Sequence, residues 1–149
     1  MYKNSSALAS YGRIANSESD PIHQLVLLYD GAIKFARLAA DDIKDGRIAD
    51  KAEHVNRALD ILNYLQNILD FERAPDVAQT LDTLYSLVSM TVLQASAKLD
   101  AAGMLKAAEL LAPVRDSWDV IAKTMGSNPT PVAVPLGPEP KRLGHLVVG

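Results

Sequence analysis

Apolar residues recur at positions 22, 25, 29, 32, 36, 39 and 43, an unbroken alternation of three- and four-residue steps. That spacing marks one face of an α-helix, and its seven-residue period suits packing against antiparallel neighbours. Val26, Leu27, Leu28, Ile33 and Phe35 lie off this stripe. The helix is therefore apolar around much of its girth and must be enclosed on several sides.

Three further helices follow from the same pattern. Residues 51–70 place Val55, Ala58, Leu62, Leu65 and Leu69 on one face. Residues 76–99, opened by Pro75, read Val77, Leu81, Leu84, Val88, Thr91 and Ala95 on their inner side. After a connection at Gly103, the fourth helix carries Ala107, Leu111, Val114, Trp118, Ile121 and Met125, with a kink expected at Pro113. The punctuation agrees with these spans. Ser19 or Asp20 caps the first helix, Pro21 occupies its first turn, and Asp45-Gly46 ends it. Asp50-x-x-Glu53 reads as a capping pair for the second.

Four amphipathic helices with short connections and no strand alternation predict an all-α fold, an antiparallel up-down four-helix bundle. The expected organisation is an N-terminal segment over 1–20, partly ordered, a bundle over 21–125, and a proline-rich disordered tail over 126–149. Five of the eight prolines fall between 129 and 140, where no apolar period survives.

Composition narrows the function classes. Fifteen basic and eighteen acidic residues leave a net charge of -3 without a basic stripe, which argues against nucleic acid as a ligand. The absence of cysteine excludes disulfides and thiolate metal sites. No secretory signal and no run of ~18 apolar residues is visible, so the expectation is a cytoplasmic protein without direct membrane insertion.

Catalytic chemistry finds little support. A two-metal bundle site needs Glu-x-x-His pairs, and none occurs, since Glu53 and His54 are adjacent. His54 and His23 are the only helical histidines that could act in phosphotransfer, and Val-Asn-Arg follows His54 rather than the lysine-glycine pair that would favour phosphate. No phosphate loop, cysteine nucleophile or Gly-x-Ser-x-Gly elbow appears. The reading is a non-enzyme with no metal or cofactor.

A second stripe, Ile61, Tyr64, Ile68 and Phe71, runs about 140° around the second helix from its Leu62/Leu65/Leu69 face. One bundle interior does not cover both. Leu87 and Met90 also fall off the inner stripe of the third helix, with Tyr85 on its other flank. Large apolar side chains in register suggest a groove that accepts an amphipathic helix. The candidate partner surface comprises Ile61, Tyr64, Leu65, Ile68, Phe71, Leu84, Tyr85, Leu87 and Met90. Leu8 and Tyr11, three apart, are candidates to plug that groove or to touch the partner.

Several short motifs occur in order along the chain: Met1-Tyr2, Leu8-x-x-Tyr11, Pro21, Gln24-Leu25-x-x-Leu28-Tyr29-Asp30-Gly31-Ala32 and Ala58-x-Asp60-Ile61-Leu62-Asn63-x-Leu65. Leu69-Asp70, Leu81-x-x-Leu84-Tyr85, Leu110-Leu111 and Asp116-x-Trp118 complete the set. In order and spacing, this set resembles the flagellin export chaperone family FliS. The chain departs from the family pattern at Ala74-Pro75, at Ser86-Leu87-Val88-Ser89-Met90-Thr91 and at Pro113. The resemblance implies a cytoplasmic chaperone that binds the disordered C-terminal segment of flagellin and prevents premature polymerisation. It also implies delivery of that cargo to the membrane protein of the flagellar export gate, in a type III secretion pathway. The N-terminal segment would pack on the bundle or swap across to a second copy, which leaves a homodimer open for the empty chaperone. The residues alone leave two alternatives, a histidine phosphotransfer module or a structural dimer joined through the second stripe.

Overall fold

Helix α1 (Pro21–Asp45) begins where the Asp20 side chain accepts from the Ile22 and His23 backbone N–H groups, with Pro21 in the first turn. It ends at Gly46, whose φ of 72° is left-handed backbone that a Cβ would strain. The computed structural model describes residues 20–125, and three more helices complete this part: α2 (Ile48–Asn67), α3 (Pro75–Lys98) and α4 (Ala101–Met125). No strand occurs among the described residues. The N-terminal segment, with Leu8 and Tyr11, and the proline-rich tail lie outside them.

The short connections make successive helices antiparallel, and the main contacts run in a ring, α1 on α2, α2 on α3, α3 on α4, and α4 back on α1. The α1–α4 and α1–α2 seams are the most extensive. That placement explains the girth of apolar residues on α1. Its stripe is buried up to Ala39, and Val26, Leu28, Ile33 and Phe35 are buried beside it.

Local details shift the start of α2 and the connection between α3 and α4. Helix α2 starts at Ile48 behind Arg47, which makes no side-chain capping bond, so the expected Asp50/Glu53 pair already lies inside the helix. Glu53 instead pairs with Arg57 at 3.6 Å. The α3–α4 connection is Leu99–Asp100, not Gly103. Asp100 Oδ1 accepts the Gly103 N–H at 3.0 Å and so caps α4. Gly103 sits in the first turn because a Cβ there would fall 2.6 Å from Asp100 Oδ2 and 3.3 Å from Ala95 Cβ. Helix α4 runs unbroken through Pro113.

The inner faces of α2 and α3 differ from the expected ones. On α2 and at its C-terminal cap, Ile61, Tyr64 and Ile68 are buried together with Val55, Ala58, Leu62 and Leu65. A helix with neighbours on two sides buries roughly half its circumference, and both stripes fit within that arc. On α3 the buried set is Ala78, Leu81, Tyr85, Val88, Val92 and Ala95. Tyr85 and Val92 therefore point inward, while Val77 is exposed and Leu84 and Thr91 are half-buried. Trp118 is buried on α4 as its register predicts, with Val114 and Ile121 at the margin.

Two polar clusters pin the seams. Arg115 Nε donates to Asp30 Oδ1 at 2.7 Å, joining α4 to α1. At the other end the Asp42 carboxylate, only 2% exposed, accepts from Arg47 Nε at 3.2 Å and Nη2 at 3.0 Å. Its second oxygen is held by His54 Nδ1, which fastens α2 to the end of α1.

Candidate partner surface

Residues 83–97 of α3 contain no charged side chain, a run of fifteen residues over four helical turns. Much of that stretch faces outward, and Leu87 (51% exposed), Met90 (58%) and Leu93 (54%) stand bare on it. Its hydroxyls do little to make it polar. Thr83 donates to the Gln79 carbonyl at 3.0 Å and Thr91 to the Leu87 carbonyl at 2.8 Å, which turns their donor capacity inward and leaves methyl groups available outside. On the α2 side Gln66 Nε2 donates to Asp82 Oδ1 at 3.1 Å and Ser86 Oγ at 2.9 Å, closing that seam with polar contacts.

The opposite flank of α3 continues the apolar character. Leu84 and Thr91 are half-buried there, and Leu110, Val114 and Ile121 of α4 are likewise only partly covered. By helical register these residues share the α3–α4 seam, where Gly103 lies close to Ala95. Val77 and Phe71 add exposed apolar surface near the start of α3. The result is a long surface on α3, uncharged over residues 83–97, that continues into the partly covered apolar residues of the α3–α4 seam. Contiguous apolar surface of this kind marks interaction sites on soluble domains.

The residues expected on a partner surface divide sharply. Phe71, Leu87 and Met90 are exposed, and Leu84 is half-buried. Ile61, Tyr64, Leu65, Ile68 and Tyr85 are core residues, so the expectation of an open groove along α2 is corrected. Tyr85 is held inside by its hydroxyl, 2.7 Å from the Tyr29 hydroxyl. Leu93 and Val77 are also exposed and lie outside the expected set. The charge-free run from 83 to 97 is a legible signal for Leu93, whereas apolar spacing alone puts Val77 on the inner side.

Titratable groups point to structure rather than chemistry. Burial raises the Tyr29 phenol pKa, against smaller lowering effects of Tyr85 and Trp118. Burial, then the neighbouring Tyr29, raises Tyr85 well above the ordinary tyrosine value. Trp118 brings its buried indole N–H near Tyr29 without reaching hydrogen-bond geometry. Burial also raises the Asp60 carboxyl, partly offset by Arg57. His54 is half-buried, bonded through Nδ1 to Asp42 and stacked on Phe35 with ring centres 6.0 Å apart. His23 is half-buried in the first turn of α1. Among the described residues no group of three or more His, Cys, Asp or Glu side chains is placed to hold a metal ion, and no helix is long and apolar enough to cross a membrane.

Comparison with known proteins gives a consistent result. The family model described as "Flagellar protein FliS" matches residues 4–125. A Vibrio cholerae protein named flagellar secretion chaperone FliS is 31% identical over 100 residues, covering 66% of this chain and 74% of its own length. The protein of that name from Salmonella typhimurium is 30% identical over 102 residues, covering 67% and 76% respectively. The flagellar secretion chaperone FliSB of Pseudomonas aeruginosa is 26% identical over 106 residues, or 71% of this chain and 84% of its own.

Proposed function

Since the chain belongs to the FliS family, we propose that it is a flagellar secretion chaperone, a non-enzymatic protein of the cytoplasm. Its client is the C-terminal segment of flagellin, which it keeps from polymerising and hands to the membrane protein of the export gate. The observation that carries this reading is the uncharged outer face of α3 with Leu87, Met90 and Leu93 exposed. A disordered segment that orders on binding needs a long apolar surface to offset its lost entropy, at about 1.5–3 kcal/mol per large side chain buried. The α3 face and the α3–α4 seam provide such a surface along a helix of 24 residues.

Leu8 and Tyr11 belong to the same reading, as anchors of an N-terminal segment that competes with the client or reaches a second copy. The phosphotransfer alternative draws no support from His54, whose Nδ1 is tied to Asp42 and whose ring lies against Phe35. A dimer joined through the second stripe draws little support, because Ile61, Tyr64 and Ile68 are buried and only Phe71 of that set is exposed.

The test is titration calorimetry of the full chain with the C-terminal ~40–60 residues of the host's flagellin, a length suited to wrapping helices about 30–40 Å long. Leu87→Asp and Met90→Asp should each weaken binding about 10-fold or more while preserving the thermal transition, because a charge would enter a desolvated contact. Absence of binding by the unaltered chain would overturn the client assignment. Unchanged affinity in both variants would overturn the surface.

A further inference from the structure

We propose that residues 126–138 of this chain dock along the exposed face of α3, with Val132 against Met90 and Val134 against Leu93. The starting point is fixed by the fold. Helices α3 and α4 are joined by the two-residue connection Leu99–Asp100 and have nearly equal lengths, so Met125 ends level with Pro75. The tail therefore departs at the foot of the apolar face.

Reach then selects the partners. Met90 lies fifteen residues above Pro75, a rise of about 22 Å at ~1.5 Å per residue. Val132 lies seven residues beyond Met125, also about 22 Å in a proline-favoured extended chain at ~3.1 Å per residue. The next pair agrees as well, with Leu93 about 27 Å up the helix and Val134 about 28 Å along the tail.

Chemistry favours this occupant over a generic polypeptide. Residues 126–138 carry no charge, like residues 83–97 that they would cover. The face offers few hydrogen-bond acceptors, because its helical carbonyls are used within the helix. An occupant with an N–H at every residue would bury unsatisfied donors, whereas Pro129, Pro131, Pro135 and Pro138 have none. Beyond the docked stretch, Lys141 and Arg142 face a bundle whose residues 20–125 hold sixteen of the eighteen acidic side chains but eleven of the fifteen basic ones. Tethering keeps the segment at a high local concentration, so a modest contact suffices. If the same face takes a client, as the chaperone reading holds, the tail is its intramolecular competitor, and that consequence alone rests on the reading.

The cysteine-free chain allows a direct test without flagellin, so its outcome is separate from that of the client assignment. Full-length Met90→Cys/Val132→Cys is compared under mild oxidation with Arg37→Cys/Val132→Cys. Arg37 is an exposed residue of α1, diagonally across the ring and at nearly the height of Met90. A disulfide needs Cα atoms within about 7 Å, so it reports proximity. The first variant should form an intramolecular disulfide about 10-fold faster or more, a difference that disappears in urea and does not depend on protein concentration. Leu93→Cys/Val134→Cys should behave as the first does, which guards against a local packing defect at Met90. Equal rates on α3 and α1 would overturn the proposal. So would crosslinking mainly between molecules, which would assign the face to a second copy.

Discussion

The hydroxyls of Tyr29 and Tyr85 meet at 2.7 Å across the diagonal of the bundle, joining α1 to the one helix that does not flank it in the ring. Their rings meet edge to face, with centres 6.0 Å apart. A hydrogen bond in the middle of an apolar core fixes relative height and rotation of two helices, because sliding either would bury two unpaired hydroxyls.

Removing one hydroxyl should therefore cost more than removing both would suggest. Tyr85→Phe leaves the Tyr29 hydroxyl buried without its partner and should destabilise by ~1–3 kcal/mol. Tyr29→Phe/Tyr85→Phe should be more stable than the sum of the single changes, by about 0.5–3 kcal/mol of coupling. Urea denaturation of the four proteins measures the cycle. Strict additivity would mean that the contact carries no energy of its own.

The same pair sets the alkaline limit. Both phenols have pKa values raised by burial, so each binds its proton more tightly in the folded than in the unfolded chain. The resulting stability is intact below the unfolded tyrosine value of about 10 and is lost as pH rises through the folded values. Thermal stability should fall above that point, and phenolate absorbance from Tyr29 and Tyr85 should appear together with loss of helical dichroism. Comparison with Tyr29→Phe/Tyr85→Phe, which should lose less, separates this effect from lysine titration. Reversible ionisation of all five tyrosines in a folded chain would contradict it.

Ile61 tests whether α2 has one buried face or two independent ones. It has no exposed surface, so Ile61→Ala should cost about 2–5 kcal/mol and Ile61→Asp should abolish the cooperative transition. An Ile61→Asp chain that melts like the unaltered protein would restore the second stripe as an open groove.

Leu99 ends α3 with φ 53°, backbone that a leucine adopts at a cost, and its side chain is half exposed. Leu99→Gly should relieve strain of ~1–2 kcal/mol while adding freedom to the unfolded chain. The net expectation is a gain of up to about 1 kcal/mol, read as a higher urea midpoint at unchanged slope. Lower stability would show that the Leu99 side chain contributes more packing than its exposure suggests.

The sequence by itself determined the number and kind of elements, because apolar recurrence at three and four residues survives in any surroundings. It narrowed the cap of α1 to Ser19 or Asp20 and placed its end at Asp45-Gly46, since those depend on backbone geometry a few residues long. It also carried the family motifs and the charge-free run of α3 that bears Leu87 and Met90. What it left open was rotation. Periodicity gives the direction of an apolar stripe, but not how wide an arc the neighbours cover. On α2 that arc took in Ile61, Tyr64 and Ile68; on α3 it turned Tyr85 inward and Val77 outward. Pairing was hidden for a related reason. Tyr29 and Tyr85 lie 56 residues apart, and Asp42 and His54 belong to different helices. The α1–α2 hairpin brings the second pair together and the closing of the ring the first, and burial then makes each bond necessary.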